Sequence, residues 1–222
     1  MRTLFITSIF FLITIGNLSS QLSISCGLDG SLTYSKYSFN YIPIKELESP
    51  LQYGFGLRLG AGLNERYYIR TGILRTNLAL NIVYDWYIPN QPVIIDPALP
   101  LQSFYKFSYL TIPFSVGYKF HLLKRLNIIP QVGSDFQIFT NKSEYSIFGD
   151  GSKKPAVINL EGVDKNHFQI IALIALELPL KDKWFITIEP FFSKSLLLKH
   201  IPYMEASYFS IGGSVGIFRN LY

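Results

Sequence analysis

The chain has 222 residues, enough for one domain, and is 49% apolar, 16% aromatic and only 16% charged. Soluble domains carry about a quarter charged residues, so this composition suits a surface that meets something other than water. The net charge of +5 is spread along the chain with no basic stripe, which argues against nucleic acid as a partner.

The first element is a signal-like segment. Arg2 precedes an almost wholly apolar run from Leu4 to Ile15, followed by Gly16-Asn17-Leu18-Ser19-Ser20-Gln21. One positive charge, a short apolar core and small residues after it make a secretory signal. At about a dozen residues the run is shorter than the roughly 20 that a spanning helix needs. Cleavage near Ser20 is expected, giving a signal peptide over 1–20, export by the general secretory route and one mature domain over 21–222. After this segment no run of roughly 18 apolar residues remains, so a membrane could be spanned only by a closed β-barrel, which satisfies every backbone group in lipid.

The mature chain then alternates between apolar and small or polar residues, the period-two signature of a strand with two unlike faces. The first strand, from Leu22, sets Ile24, Cys26 and Leu28 opposite Ser23, Ser25, Gly27 and Asp29. The lone Cys26 permits no internal disulfide. It reads as a small hydrophobe rather than a lipidated residue, because Leu22 stands one position too far from it for the usual lipoprotein signal. The second strand is the clearest: Leu51, Tyr53, Phe55, Leu57, Leu59, Ala61 and Leu63 alternate with Gln52, Gly54, Gly56, Arg58, Gly60 and Gly62. Four glycines on the second face suit a crowded barrel interior better than a solvated sheet. The third strand, Arg66 to about Tyr87, changes parity near Thr71 to Leu74, which predicts a bulge. Further strands follow around Leu110–Tyr118, Leu126–Ile138, Phe168–Leu178, Trp184–Ser193 and Phe209–Ile217.

That makes eight strands, and the segments between them alternate in length. About Asn40–Pro50, Ile88–Gln102, Asn141–Asn166 and Lys199–Ala206 are the longer connections; Asn64-Glu65, His121–Arg125 and Lys181-Asp182-Lys183 are short turns. Long loops at one end and tight turns at the other are the arrangement of outer-membrane barrels. The expected fold is all-β: an eight-stranded antiparallel up-and-down transmembrane β-barrel, with both termini in the periplasm. Aromatic residues near strand ends (Tyr67, Tyr68, Tyr84, Trp86, Tyr87, Phe104, Tyr105, Trp184, Phe191, Phe192 and Tyr208) are expected to form girdles at the two lipid interfaces. Pro113, Pro130, Pro179 and Pro190 oppose this scheme. Each removes a ladder hydrogen bond, so bulges or rim positions are expected there.

Tyr109-Leu110-Thr111-Ile112-Pro113-Phe114-Ser115-Val116-Gly117-Tyr118-Lys119-Phe120 resembles the central strand motif of the PorT-like outer-membrane β-barrel family of Bacteroidetes. Ile128–Phe139 and the glycine-rich Tyr208–Phe218 are similar to that family's later strands. Thr111 stands where the family usually has glutamate. The resemblance implies an outer-membrane barrel with Pro113 as a family feature. It also implies kinship with proteins some of which assist the type IX protein secretion system.

For chemistry there is little. Barrel enzymes such as lipid A deacylases place His and Ser two positions apart on one strand. Here His121 precedes Leu122-Leu123, His167 precedes Phe168-Gln169 and His200 precedes Ile201-Pro202. His121 is assigned to a turn, and His167 and His200 to external loops. No catalytic, cofactor-binding or metal site is expected, and the chain reads as non-enzymatic. Inward parity gathers Arg58, Arg70, Arg75 and Lys119 with Asp135, Glu177 and Glu189, read as a self-neutralising plug of a lumen wide enough only for its own side chains. The expected role is structural, adhesive or secretion-accessory, with outer-membrane lipid and other envelope or secretion proteins as partners. The alternatives are a transport barrel for a small apolar ligand, which needs a cavity behind Ile171, Leu173, Phe185 and Phe191, and a lipid-modifying outer-membrane enzyme. A soluble lipocalin-like barrel is a fourth reading.

Overall fold

The computed structural model describes residues 22–38, 44–64, 66–84, 98–123, 126–156, 166–196 and 207–221. The expected signal peptide (1–20), most of the connections near 88–102 and 199–206, and Trp86, Tyr87 and His200 lie outside these residues. The described strands are β1 (Leu22–Ser38), β2 (Ile44–Glu48), β3 (Gln52–Leu63), β4 (Tyr67–Tyr84), β5 (Pro100–Tyr118), β6 (Phe120–Leu123), β7 (Leu126–Phe148), β8 (Lys153–Lys154), β9 (His167–Pro179), β10 (Trp184–Ser195) and β11 (Ser207–Asn220). All pairings are antiparallel. Eight strands close a ring in the order β1-β3-β4-β5-β7-β9-β10-β11, and β11 pairs back onto β1 from Ser25↔Asn220 to Ser38↔Ser207. Closure leaves no free edge within the ring, the arrangement that lipid demands of a sheet.

Side-chain direction follows the period-two alternation. On β3, odd residues point outward and even ones inward. Leu57 is 63% exposed, Ile211 57%, Ile174 48% and Ile112 37%. These four come from four different strands and do not meet in an interior. With Leu28, Phe55, Ile69, Phe114, Val132, Ile188 and Val215 they form a continuous apolar belt, far larger than the few hundred Å² that a soluble monomer exposes.

One end of the barrel is closed by tight turns. Asp182 and Lys183 both have positive φ, 56° and 67°, and the Trp184 N–H donates to the Lys181 carbonyl at 3.2 Å. Two left-handed residues in a two-residue turn match the right-handed twist of the strands they join. At the other end several strands run on past the belt. β7 has 23 residues, about 75 Å at ~3.3 Å per residue, where a spanning strand needs about 9–11. The connection expected over Asn141–Asn166 is therefore partly strand: β7 continues to Phe148 and β8 folds back against it at Ser146↔Lys154. Likewise β5 begins at Pro100, and β2 occupies part of the segment expected to be a loop over Asn40–Pro50. β2 prolongs the β3 edge along β4, with Ser49–Tyr53 opposite the one-residue-shorter Asn77–Leu80. There the Tyr53 N–H donates to Asn77 Oδ1 at 2.8 Å, a side chain standing in for the ladder.

Two expectations are corrected. No bulge interrupts β4, which keeps one register against β3 from Gly54↔Thr76 to Leu63↔Tyr67 and one against β5. The parity change in the sequence instead records a change of environment. Above Gly72 the apolar residues Leu74, Leu78, Leu80 and Ile82 point inward and are buried. Second, the prolines need few bulges. Pro179 ends β9 at the turn, and Pro130 sits where β5 gives way to β6. Beside Pro113 and Pro190 the ladder to one neighbour skips two pairs and resumes in the same register. Each proline thus costs a local gap rather than a shift of every side chain to the other face.

Candidate functional site

The lumen is the only interior shared by all eight ring strands, and it is filled in layers. Nearest the turns, Phe185 and Phe218 stack with ring centroids 5.3 Å apart, and Arg70 lies over the Phe218 ring at 5.1 Å and the Tyr68 ring at 5.3 Å. Glycine makes this possible: a Cβ on Gly60 would fall 2.2 Å from the Tyr68 hydroxyl, and one on Gly216 2.4 Å from the Phe218 ring. Beside them Lys119 Nζ donates to both oxygens of Glu177, at 2.9 and 3.1 Å, and Asn127 Nδ2 donates to Glu177 Oε1 at 2.7 Å. His121 Nδ1 and Asn127 Oδ1 are 2.7 Å apart, which extends the chain to the rim.

The next layer is ionic. Arg58 reaches Asp29 Oδ2 with Nη2 at 2.8 Å and Glu189 Oε2 with Nη1 at 2.9 Å. Arg70 Nη1 donates to the other oxygen of Glu189, and the Ser214 hydroxyl donates to Oε2 at 3.2 Å. Arg70, Asp29 and Glu189 are almost wholly buried. Buried charges persist only when paired and hydrogen-bonded, and the planar guanidinium fork allows Arg58 to span two carboxylates.

Above this layer lies a chamber lined by serine, threonine and carboxamide side chains together with Leu74, Leu78, Ile171 and Phe191. Ser35 Oγ is 2.7 Å from Ser210 Oγ and donates to Gln52 Oε1 at 3.1 Å; Thr76 and Thr111 hydroxyls are 2.6 Å apart. A cavity of about 70 Å³ remains here, lined among others by Asp135, Gln137, Thr111, Tyr109 and Arg58. At 10–15 Å³ or more per water, it holds a few waters. Beyond the chamber, Tyr105, Phe107, Tyr109 and Ile82 form a buried apolar collar.

The residues expected to share the lumen divide as follows. Arg58, Arg70 and Glu189 meet in one cluster, Lys119 and Glu177 in a second, and Asp135 lies apart, lining the chamber. Arg75 does not join them. It is exposed on the outer face of β4, because the unbroken register sends odd residues of that strand outward. Asp29 completes the ionic layer, and its inward parity beside Ser23, Ser25 and Gly27 was the available signal. His167 is a further correction: it begins β9 instead of lying in a loop, is 1% exposed, and meets the Tyr109 ring edge-on at 5.1 Å. Of the residues expected in girdles, Tyr68, Tyr84 and Tyr105 are buried in the interior, and Phe191 packs against Tyr68, Ile129, Ile171, Leu173 and Ala175. Tyr67 and Trp184 do lie on the outer surface at the turn end. Ile171, Leu173 and Phe191 pack in one cluster, and Ile171 and Phe191 also line the cavity of about 70 Å³ above the ionic layer. Cys26 is half-buried on the outer face of β1.

The chain matches no protein-family model and no curated protein. Its fold is similar to that of the outer membrane protein OprG from Pseudomonas aeruginosa (TM-score 0.52, 6% identity, covering 88% of this chain and 95% of that one). Also similar are Neisserial surface protein A (0.47, 9%, 87% and 96%) and the outer membrane protease OmpT from Escherichia coli (0.41, 8%, 90% and 96%). At such identities a likeness speaks for fold alone. With the closed ring of eight antiparallel strands, the OprG superposition shows that this chain has the fold of outer-membrane β-barrels.

Proposed function

We propose that this chain is a non-enzymatic β-barrel of the bacterial outer membrane, exported by a signal over residues 1–20, whose plugged interior makes it a scaffold rather than a pore. The observation that carries the reading is the pairing of an apolar outer belt with a crossed ionic layer inside. Leu57, Ile112, Ile174 and Ile211 face outward, where acyl chains would cover them, while Asp29, Arg58, Arg70 and Glu189 bridge β1, β3, β4 and β10 across the lumen. In this orientation the tight turns face the periplasm and the strand extensions face outward, as in barrels with short periplasmic turns. The mechanism is presentation: a rigid barrel holds the projecting sheet and its loops clear of the lipid surface, where they contact other envelope components. The motif that runs from β5 into β6, Tyr109–Phe120, favours a secretion-accessory role of the PorT-like kind within that class.

The test has two parts. Fractionated cells should yield the chain in the outer membrane, with heat-dependent migration on gels, and the purified barrel in planar bilayers should show no stable single-channel conductance. A chain soluble without detergent defeats the membrane assignment. A steady ion current defeats the scaffold reading and leaves the membrane assignment intact.

A further inference from the structure

We infer that the polar chamber above the ionic layer is a binding pocket for a small primary ammonium group, held by Asp135 and Gln137. The first argument is charge balance. Among the described residues the middle of the lumen holds the carboxylates Asp29, Asp135 and Glu189 against the guanidiniums Arg58 and Arg70, with the buried His167 imidazole opposite Gln137 as a further basic group; Lys119 is engaged by Glu177 in the layer below. Both terminal nitrogens of Arg58 are engaged by Asp29 and Glu189 and Arg70 Nη1 by Glu189, while Arg58 Nε and Arg70 Nε and Nη2 are buried without an acceptor among the described residues. Among the described residues Asp135 is thus the lumen carboxylate that forms no ion pair. In a confined interior an unpaired charge is costly, and a bound cation offsets that cost.

The second argument is independent of charge. Gln137, 7% exposed, lines the same cavity, and its Oε1 accepts no hydrogen bond; nor does Asp135 Oδ1. The two residues stand two apart on the inward face of β7, so their side chains lie about 7 Å apart along the strand and converge on one space. A ligand that brings several N–H groups would meet both acceptors at once and displace the water that otherwise fills the cavity. A primary ammonium brings three and a positive charge. The Tyr109 ring on the same wall adds an aromatic face of the kind that attracts organic cations. Among the described residues no three His, Cys, Asp or Glu side chains converge as a metal site, so one carboxylate and one carboxamide suit a monovalent cation. Entry from the loop end has to pass the buried collar of Tyr105, Phe107, Tyr109 and Ile82, because the ionic layer closes the turn side.

The experiment titrates methylammonium chloride into the full mature chain in lipid bicelles, following side-chain carboxamide and carboxyl resonances by NMR, with potassium chloride at equal ionic strength as the second arm. A saturable shift of the Gln137 carboxamide is expected with methylammonium and not with potassium. Asp135→Asn should weaken the apparent affinity at least ten-fold. That variant removes the excess charge, so the empty barrel should keep or gain stability. Gln137→Leu retains the carboxylate and should weaken binding by a smaller factor. An unsaturable or absent response, as in a lumen made neutral by a proton on Asp135 or His167, overturns the proposal. So does an equal response to potassium, or an unchanged affinity in Asp135→Asn.

Discussion

The lower barrel and the sheet that projects from it are built from the same strands with opposite polarity. On β5, Leu110, Ile112, Phe114 and Val116 point outward while Thr111 and Ser115 are buried. A few residues nearer the loops, Lys106 and Ser108 point outward and Tyr105, Phe107 and Tyr109 are buried at 1–2% exposure. β4 inverts at the same height, from Ile69 outward and Arg70 inward to Arg75 outward and Leu78 inward. A register shift between Ser108 and Tyr109 marks the boundary on the β5–β7 ladder, where Thr140 is the extra residue and its hydroxyl donates to the Ser108 carbonyl at 2.8 Å. The lesson is that alternation tells two faces apart but does not say which face is inside. In the proposed membrane placement the surrounding medium decides that, with lipid below the boundary and water above it.

The largest test of this contrast removes the centre of the ionic layer. Glu189→Leu leaves Arg58 and Arg70 facing each other without their shared carboxylate, and loss of about 3–5 kcal/mol is expected, read as a lower urea midpoint for the barrel in lipid vesicles. Phe107→Ala should cost a similar ~3–5 kcal/mol, but in the projecting sheet alone. Hydrogen exchange should accelerate over 100–108 and 141–148 while heat-dependent gel migration persists. If the whole barrel melts together, the two regions are one cooperative unit.

Outward charge distinguishes the regions next. Leu57→Arg in the belt should cost about 2–4 kcal/mol, whereas Ser143→Arg on the outer face of the projecting sheet should change stability by less than ~0.5 kcal/mol. Equal effects at both sites, measured by vesicle unfolding, would erase the boundary. A smaller effect sharpens the turn end: Lys183→Gly relieves a left-handed lysine and should raise stability by roughly 0.5 kcal/mol once glycine's greater unfolded-state freedom is discounted. The smallest concerns the hairpin tip beyond β7. Ser152 holds the Asp150 carboxyl below its usual range, its backbone N–H donating to Oδ1 at 2.8 Å. That contribution is present above the ordinary carboxylate pKa and fades as pH falls through the lowered folded value. Exchange at the Ser152 amide should therefore rise on acidification beyond its intrinsic pH trend, and Asp150→Ala should abolish the effect.

Much of the barrel was legible in the chain. The run Leu51–Leu63 declared a strand with an apolar and a glycine-rich face, and Lys181–Lys183 declared a tight turn, because both rest on local geometry. Arg58, Arg70 and Glu189 followed from inward parity alone. Arg75 did not, because the apolar residues of β4 turn inward above Gly72 and send Arg75 outward. Tyr68, Tyr84 and Tyr105 were misplaced for a related reason: an aromatic ring suits an interface girdle or a packed lumen equally well, and only its parity within a known register separates the two.

Strand periodicity and the inward placement of most charges are written locally, since each depends on neighbours one or two residues away. Which charges meet, that Asp29 and not Arg75 completes the ionic layer, and that Asp135 is left over emerge once the ring is closed. Those outcomes depend on the stagger between strands far apart in the chain, such as β3 and β10. That stagger is set by closing the whole ring rather than by any one segment.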